Sequence, residues 1–127
     1  MNVNIIPSVM GIPTKQKSLS MIKQLEKLLQ QGQDNAMLRF GLGKAYLDCL
    51  QPEKAIEHFT ACLQHDKNYS AAWKLLGKSY VQLEEWKNAA DTYQQGIVIA
   101  RSKGDKQAEK EMLVFLKRCN KQLDNTK

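Results

Sequence analysis

Apolar residues recur along most of this chain at the three- and four-residue spacing of amphipathic helices. One such stripe lies in residues 18–31 and consists of Leu19, Ile22, Leu25, Leu28 and Leu29. Another lies in residues 105–122 and consists of Ala108, Met112, Phe115, Leu116 and Cys119. The pattern predicts an all-α protein that has one amphipathic helix on each side of a central helical region.

The central region repeats itself at an offset of 34 residues, without a gap across 36–69 and 70–103. Identical residues at this offset are Leu42 and Leu76, Gly43 and Gly77, Lys44 and Lys78, Tyr46 and Tyr80, and Ala55 and Ala89. Similar residues are Phe59 and Tyr93, Leu63 and Ile97, and the small pair Cys62 and Gly96. A fixed period of this length is typical of architectures in which each unit packs on its neighbours.

The second copy reads Trp73-x-x-Leu76-Gly77-x-x-Tyr80 and then Ala89-x-x-x-Tyr93. It resembles the tetratricopeptide repeat, a pair of helices with a period of 34 residues. The first copy keeps this pattern at Leu42, Gly43, Tyr46, Ala55 and Phe59, but it has Arg39 where Trp is usual and Lys67 where Pro is usual. Leu50 and Glu84 stand where the family often has a turn glycine. The resemblance implies a short α-α superhelix, or solenoid, of about six helices.

The repeat boundaries divide the chain into a flexible N-terminal tail over 1–17 and a repeat domain over 18–123. Within the domain we expect a capping helix over 18–33, repeats over 36–69 and 70–103, and a second capping helix over 105–123, because end repeats otherwise expose an apolar face. At the 34-residue offset the first capping helix resembles the second helix of a repeat whose first helix is absent.

Local signals predict details of the helices. Gly43 and Gly77 fall in mid-helix, where glycine costs about 1 kcal/mol relative to alanine, so we expect a close helix–helix contact there. Asp34 or Asn35 and Ser70 are predicted N-caps. Gly104 indicates the end of one helix, and the residues that follow it begin the next.

Composition and cysteine content indicate the class of protein and the cellular compartment. The chain is 43% hydrophobic and 25% charged, as in a folded globular domain. Its three cysteines are odd in number and contain no CxxC pair, which favours reduced thiols and a cytoplasmic protein. No stretch of 18 apolar residues free of charge is present, so we expect no membrane segment.

Catalytic motifs are missing from the sequence, which contains no GxGxxG, P-loop, HExxH or GxSxG. We therefore expect a protein that is not an enzyme and that needs no cofactor. His58, Cys62 and His65 have the spacing of zinc ligands on one helix face. Because Cys62 occupies the small packing position and no fourth ligand is evident, we expect no metal site.

The family resemblance implies a concave groove lined by the first helix of each repeat. The family's groove positions correspond here to Met37, Phe40, Lys44, Leu47, Asp48, Ala71, Lys74, Lys78, Val81 and Gln82. Lys44, Lys74 and Lys78 would then form a strip of like charge, whose repulsion an anionic partner relieves. The alternative is that these lysines form an ordinary hydrated face and that Phe40 packs on the N-terminal helix. The carboxylate clamp of the chaperone-binding subset is not present as written.

The leading hypothesis is a non-enzymatic adaptor that binds a peptide segment of another protein, either acidic or with a free carboxylate. An RNA-binding role is the first alternative, based on the net charge of +6 and a pI near 9.3. Against it, the lysine strip is short and the aromatic residues are needed for packing. The second alternative is a self-associating scaffold subunit whose apolar tail docks in its own groove or a neighbour's. We expect a monomer or a weak homodimer.

Overall fold

A computed structural model describes the backbone of residues 5–125 and the side chains of residues 16–125. Six helices account for nearly all of this range: α1 Ile5–Gln30, α2 Ala36–Asp48, α3 Pro52–His65, α4 Ser70–Gln82, α5 Trp86–Lys103 and α6 Lys106–Asn125. The described part of the chain contains no strand, so the all-α prediction is confirmed. A search of these residues for a helix that could span a bilayer, judged by length and hydropathy, finds none.

Helix α1 extends into the segment over 1–17 that the sequence analysis assigned to a tail. It begins at Ile5, so residues 5–17 are helical where the sequence predicted a flexible segment. Pro7 is tolerated there because it lies in the first turn, where an N–H would have no intrahelical partner. Residues 1–4 lie outside the described residues, as do the side chains before Gln16, so docking of the tail's apolar side chains stays a prediction.

The helices stack in sequence order, and the stack curves. Each helix contacts the next one along the chain, and in addition α2 contacts α4 and α4 contacts α6. Among the described residues the backbones of α1 and α3, and of α3 and α5, do not approach one another in this way. Helices α1 and α3 meet only through side chains such as Glu26 and His58, whose Oε2 and Nε2 lie 4.0 Å apart. Because the backbones of the even-numbered helices approach one another and those of the odd-numbered helices do not, α2, α4 and α6 form the inner side of the curve.

The mid-helix glycines allow the two helices of each repeat to pack closely. A Cβ on Gly43 would lie 2.6 Å from the ring of Phe59, and one on Gly77 would lie even closer to the ring of Tyr93. Both rings are almost completely buried. The predicted close contact at these glycines is therefore confirmed, and it explains why the intrinsic helix penalty of glycine is tolerated.

Helix ends follow some of the local signals. The Asn35 side chain caps α2 by accepting a hydrogen bond from the backbone N–H of Leu38 at 2.9 Å. Gly104 ends α5 with a left-handed φ of 75°, which favours glycine. The Ser70 prediction is wrong, because Ser70 is the first residue within α4 and is buried. Its hydroxyl instead donates a hydrogen bond of 2.6 Å to Asp105, between α5 and α6.

The two turns inside the repeats are strained. Leu50 and Glu84, which stand where the family often has glycine, have φ values of 60° and 55°. This left-handed region is unfavourable for residues with a Cβ. The family often has glycine at these turns because the backbone there adopts a positive φ. This chain keeps the same backbone geometry with Leu50 and Glu84 instead.

Candidate functional site

The predicted groove residues fall into three environments. Leu47 is only 6% exposed and belongs to the core, so its assignment to the groove is corrected. Half-buried positions are Phe40, Ala71, Lys74 and Val81. Exposed positions are Met37, Lys44, Asp48, Lys78 and Gln82.

Phe40 is fixed by its aromatic neighbours. Its ring stacks on Tyr69 with centroids 4.8 Å apart, and its centroid lies 5.9 Å from that of Phe59. Phe59 belongs to the hydrophobic core of the first repeat, and Tyr69 packs against the same core. The Phe40 ring therefore contributes to the core of the first repeat. Phe40 is therefore at most a partial surface for a bound partner.

The predicted lysine strip is interrupted at Lys74. The Nζ of Lys74 donates a hydrogen bond of 2.7 Å to the carboxylate of Glu111 on α6. This bond, with a second one from Gln107, lowers the pKa of Glu111, so the pair is charged on both sides. Within the described residues Lys44 and Lys78 have no ion pair. The strip thus offers two uncompensated cations rather than three.

A cleft of about 530 Å³ opens between α4, α5 and α6. Its walls are mainly apolar and aromatic, its remaining side chains are basic or uncharged, and no acidic residue lines it. The lining residues are Lys78, Val81, Trp86, Tyr93, Phe115, Arg118, Cys119, Lys121 and Gln122. Lys78 and Val81 were predicted groove residues, and the structure brings them together with a surface of α6 that sequence reasoning missed.

Buried groups keep the floor of this cleft uncharged. Burial raises the pKa of Tyr93 and of Cys119, so the phenol and the thiol both stay protonated at neutral pH. The Tyr93 ring lies 5.6 Å from the ring of Phe115, centroid to centroid. The guanidinium of Arg118 lies 5.8 Å from the Phe115 centroid, within the range of a cation–π contact. The cleft therefore combines an apolar floor with a cationic edge.

A smaller cleft of about 220 Å³ adjoins the first. It is lined by Lys74, Leu75, Lys78, Glu111 and Phe115. Two of these, Lys78 and Phe115, line both clefts. The ion pair of Lys74 with Glu111 leaves the charge of Lys78 uncompensated in the smaller cleft. The larger cleft carries more positive charge, because Lys78, Arg118 and Lys121 line it and no acidic residue does.

Arg39, which replaces the usual Trp of the first repeat, organises a polar cluster. Its guanidinium donates two hydrogen bonds to Asp34, of 2.8 and 3.0 Å, and lies 3.1 Å from Nδ1 of His58. The His58 ring is buried and stacks on Tyr46 with a centroid distance of 5.3 Å. The Tyr46 hydroxyl donates to Glu26 of α1. This cluster ties α1 to the first repeat.

The residues with zinc-ligand spacing do not converge. His58 is held by Arg39 and Tyr46, while His65 contacts Asp34 at 2.9 Å. Cys62 is fully buried in the core, where burial raises its pKa to about 11. No group of side chains suited to a metal ion occurs in the described part of the chain.

Sequence comparison relates this chain to known repeat proteins. Residues 72–107 match a family model described as tetratricopeptide repeat. The TPR repeat-containing protein PA0015 of Pseudomonas aeruginosa is 50% identical over 101 residues, which cover 80% of this chain and 96% of that protein. The match therefore spans nearly the full length of the relative.

Solved structures share the fold. Protein BPP2914 of Bordetella parapertussis is 40% identical, with a TM-score of 0.71 over 80% of this chain and 88% of its own. The Sgt2 TPR domain of Aspergillus fumigatus is 24% identical, with a TM-score of 0.75 over 91% and 76%. The TPR2B domain of yeast Sti1, solved in a complex with pHsp70, is 13% identical, with a TM-score of 0.78 over 89% and 90%. At these identities the last two show the fold alone.

Proposed function

The chain belongs to the tetratricopeptide repeat family, and on that basis we propose that it is a non-enzymatic adaptor that binds a peptide segment of a partner protein along α2, α4 and α6. The family fold is a protein–protein interaction fold. A structural neighbour, the TPR2B domain of Sti1, was solved with pHsp70 bound, which supports a partner of this kind.

One observation carries the proposal: the inner side of the stack has an apolar cleft with basic side chains at its edge. Lys44 and Lys78 are exposed on α2 and α4, at equivalent positions of consecutive repeats. Such charges accelerate association with an acidic partner and fix its orientation. Burial of one large apolar side chain in the cleft would contribute about 1.5–3 kcal/mol to binding before the costs of association.

The cysteines support a reducing compartment. Cys49, Cys62 and Cys119 are all free and buried. Burial raises the pKa of Cys62 and of Cys119, which makes these two thiols poor nucleophiles. We place the adaptor in the cytoplasm on this ground.

Charge reversal tests the proposed groove. Affinity-tagged wild type and Lys44→Glu/Lys78→Glu protein are expressed in the native host, and the co-purifying proteins are quantified at low salt. We expect the groove variant to lose a partner that the wild type retains. Lys74 is left unchanged, because its replacement would also break the contact with Glu111.

A matched variant controls for net charge. Lys67→Glu/Lys117→Glu makes the same change in charge at two exposed residues that line neither cleft. This variant should recover the partner as the wild type does, and circular dichroism should show equal helicity for all three proteins. Equal recovery with the groove variant at low salt would refute the groove assignment.

A further inference from the structure

We propose that the cleft between α4, α5 and α6 is an anchoring pocket for one bulky apolar side chain, such as Phe, that an acidic segment of the partner carries. The proposal rests on the peptide-binding function above and specifies which part of the inner surface selects the ligand. The cleft volume of about 530 Å³ falls within the range of about 300–1,000 Å³ typical of ligand pockets.

The floor of the pocket is suited to an aromatic or large aliphatic group. Trp86 and Tyr93 on α5 face Phe115 on α6, and Val81 closes the side formed by α4. Tyr93 is buried, whereas Trp86, Phe115 and Val81 are each only partly covered. A bound side chain would remove the remaining apolar surface of these three residues from water. Aromatic walls also favour tilted contacts with a third ring.

The edge of the pocket is suited to carboxylates. Lys78, Arg118 and Lys121 surround the apolar floor, and within the described residues none of them has an ion pair. Lys74 differs, since Glu111 already neutralises it. Three cations without an ion pair therefore lie around the larger cleft, and acidic residues on both sides of the anchor would meet them.

The charge also argues against a second copy of this chain as the occupant. The chain carries a formal charge of +6, so a second copy would bring further positive charge to an edge that is already basic. An acidic segment relieves that repulsion. Charge complementarity therefore favours a heterologous partner.

A titration of the full chain with synthetic peptides tests the pocket. The probe is a short, blocked peptide in which a single Phe is flanked by Asp and Glu, and the comparison peptide has Ala in its place. We expect the Phe peptide to shift the Trp86 indole and Phe115 amide signals in ¹H–¹⁵N spectra. The Ala peptide should bind about tenfold more weakly or worse, since it lacks the buried side chain.

Neighbouring residues on α6 provide matched protein variants. Arg118→Glu reverses a charge at the pocket edge, whereas Lys117→Glu reverses one on the same helix outside both clefts. We expect Arg118→Glu to weaken binding of the Phe peptide about tenfold or more. Lys117→Glu should change the affinity for this peptide less than about threefold, because electrostatic effects decline with distance.

Several results would overturn the pocket assignment. They are an absence of shifts with the Phe peptide, equal affinity for the Phe and Ala peptides, or no loss with Arg118→Glu. Tighter binding of a uridine oligonucleotide to the same residues would reassign the surface to nucleic acid. If Lys44→Glu/Lys78→Glu still loses the host partner in those cases, the peptide-binding function stands and only the pocket fails.

Discussion

Alanine at Gly77 provides a quantitative test of the packing inside the repeat. Helix propensity alone favours Gly77→Ala by about 1 kcal/mol, since Gly77 lies in the middle of α4. The new Cβ would overlap the Tyr93 ring, which is 1% exposed and has little room to move. Overpacking of a core costs about 1–3 kcal/mol. We therefore expect a net destabilisation of about 1–2 kcal/mol, because the overlap is severe.

The assay is urea unfolding followed by circular dichroism at 222 nm, with the free energy of unfolding taken from the midpoint and slope. Gly41→Ala is the matched control, because Gly41 is also in mid-helix but its Cβ would meet only the flexible end of Leu25, at 3.1 Å. This control should be neutral or stabilised by up to about 1 kcal/mol. Stabilisation of Gly77→Ala by the same amount would refute the packing argument.

A double-mutant cycle separates the steric effect from propensity. Tyr93→Leu removes the ring atoms Cε1 and Cζ, which are the two atoms closest to the new Cβ. The loss in free energy of unfolding caused by Gly77→Ala should then be smaller in the Tyr93→Leu background than in the wild type, by more than about 0.5 kcal/mol. Additive effects would show that the two residues do not compete for the same space.

Three further predictions concern stability. Ser70→Ala should lower the free energy of unfolding by about 1–2 kcal/mol, because it removes the hydrogen bond to the Asp105 carboxylate; an unchanged thermal midpoint would contradict this. Glu84→Gly should raise it by about 0.5–1 kcal/mol, since φ is 55° there, and a urea midpoint at or below the wild-type value would contradict that. Burial lowers the pKa of His58, so the unfolded chain takes up a proton near pH 6.5 before the native state does. Stability should therefore decrease from pH 7.5 to pH 5.5, and this decrease should be smaller in His58→Gln.

The repeat architecture could be predicted from the sequence, because the residues that determine this architecture recur locally and at a fixed period. The 34-residue offset aligned the helices, and Gly43 and Gly77 indicated the close contacts. It failed where the deciding contact is distant along the chain. Ser70 has a typical capping side chain, yet its hydroxyl donates a hydrogen bond to Asp105, which lies 35 residues later between α5 and α6.

In the groove, too, residues placed by the repeat pattern were predictable, and contacts with residues distant along the chain were not. Lys78 and Val81 could be predicted to line it by position within the repeat. The neutralisation of Lys74 could not, since Glu111 lies on a helix without the repeat pattern. Arg118 was missed for the same reason, although its position three residues after the apolar Phe115 is a signal that a basic residue flanks the stripe. Leu47 was misassigned because its position faces the core in this chain.

Site-specific photo-cross-linking in the native host tests the central claim most directly. The cross-linking amino acid p-benzoyl-phenylalanine is placed at Lys78, on the inner side of the stack, or at Glu57, an exposed residue of α3. We expect a defined adduct with a partner protein from position 78 and none from position 57. Adducts from position 57 alone would contradict a binding site on the inner side.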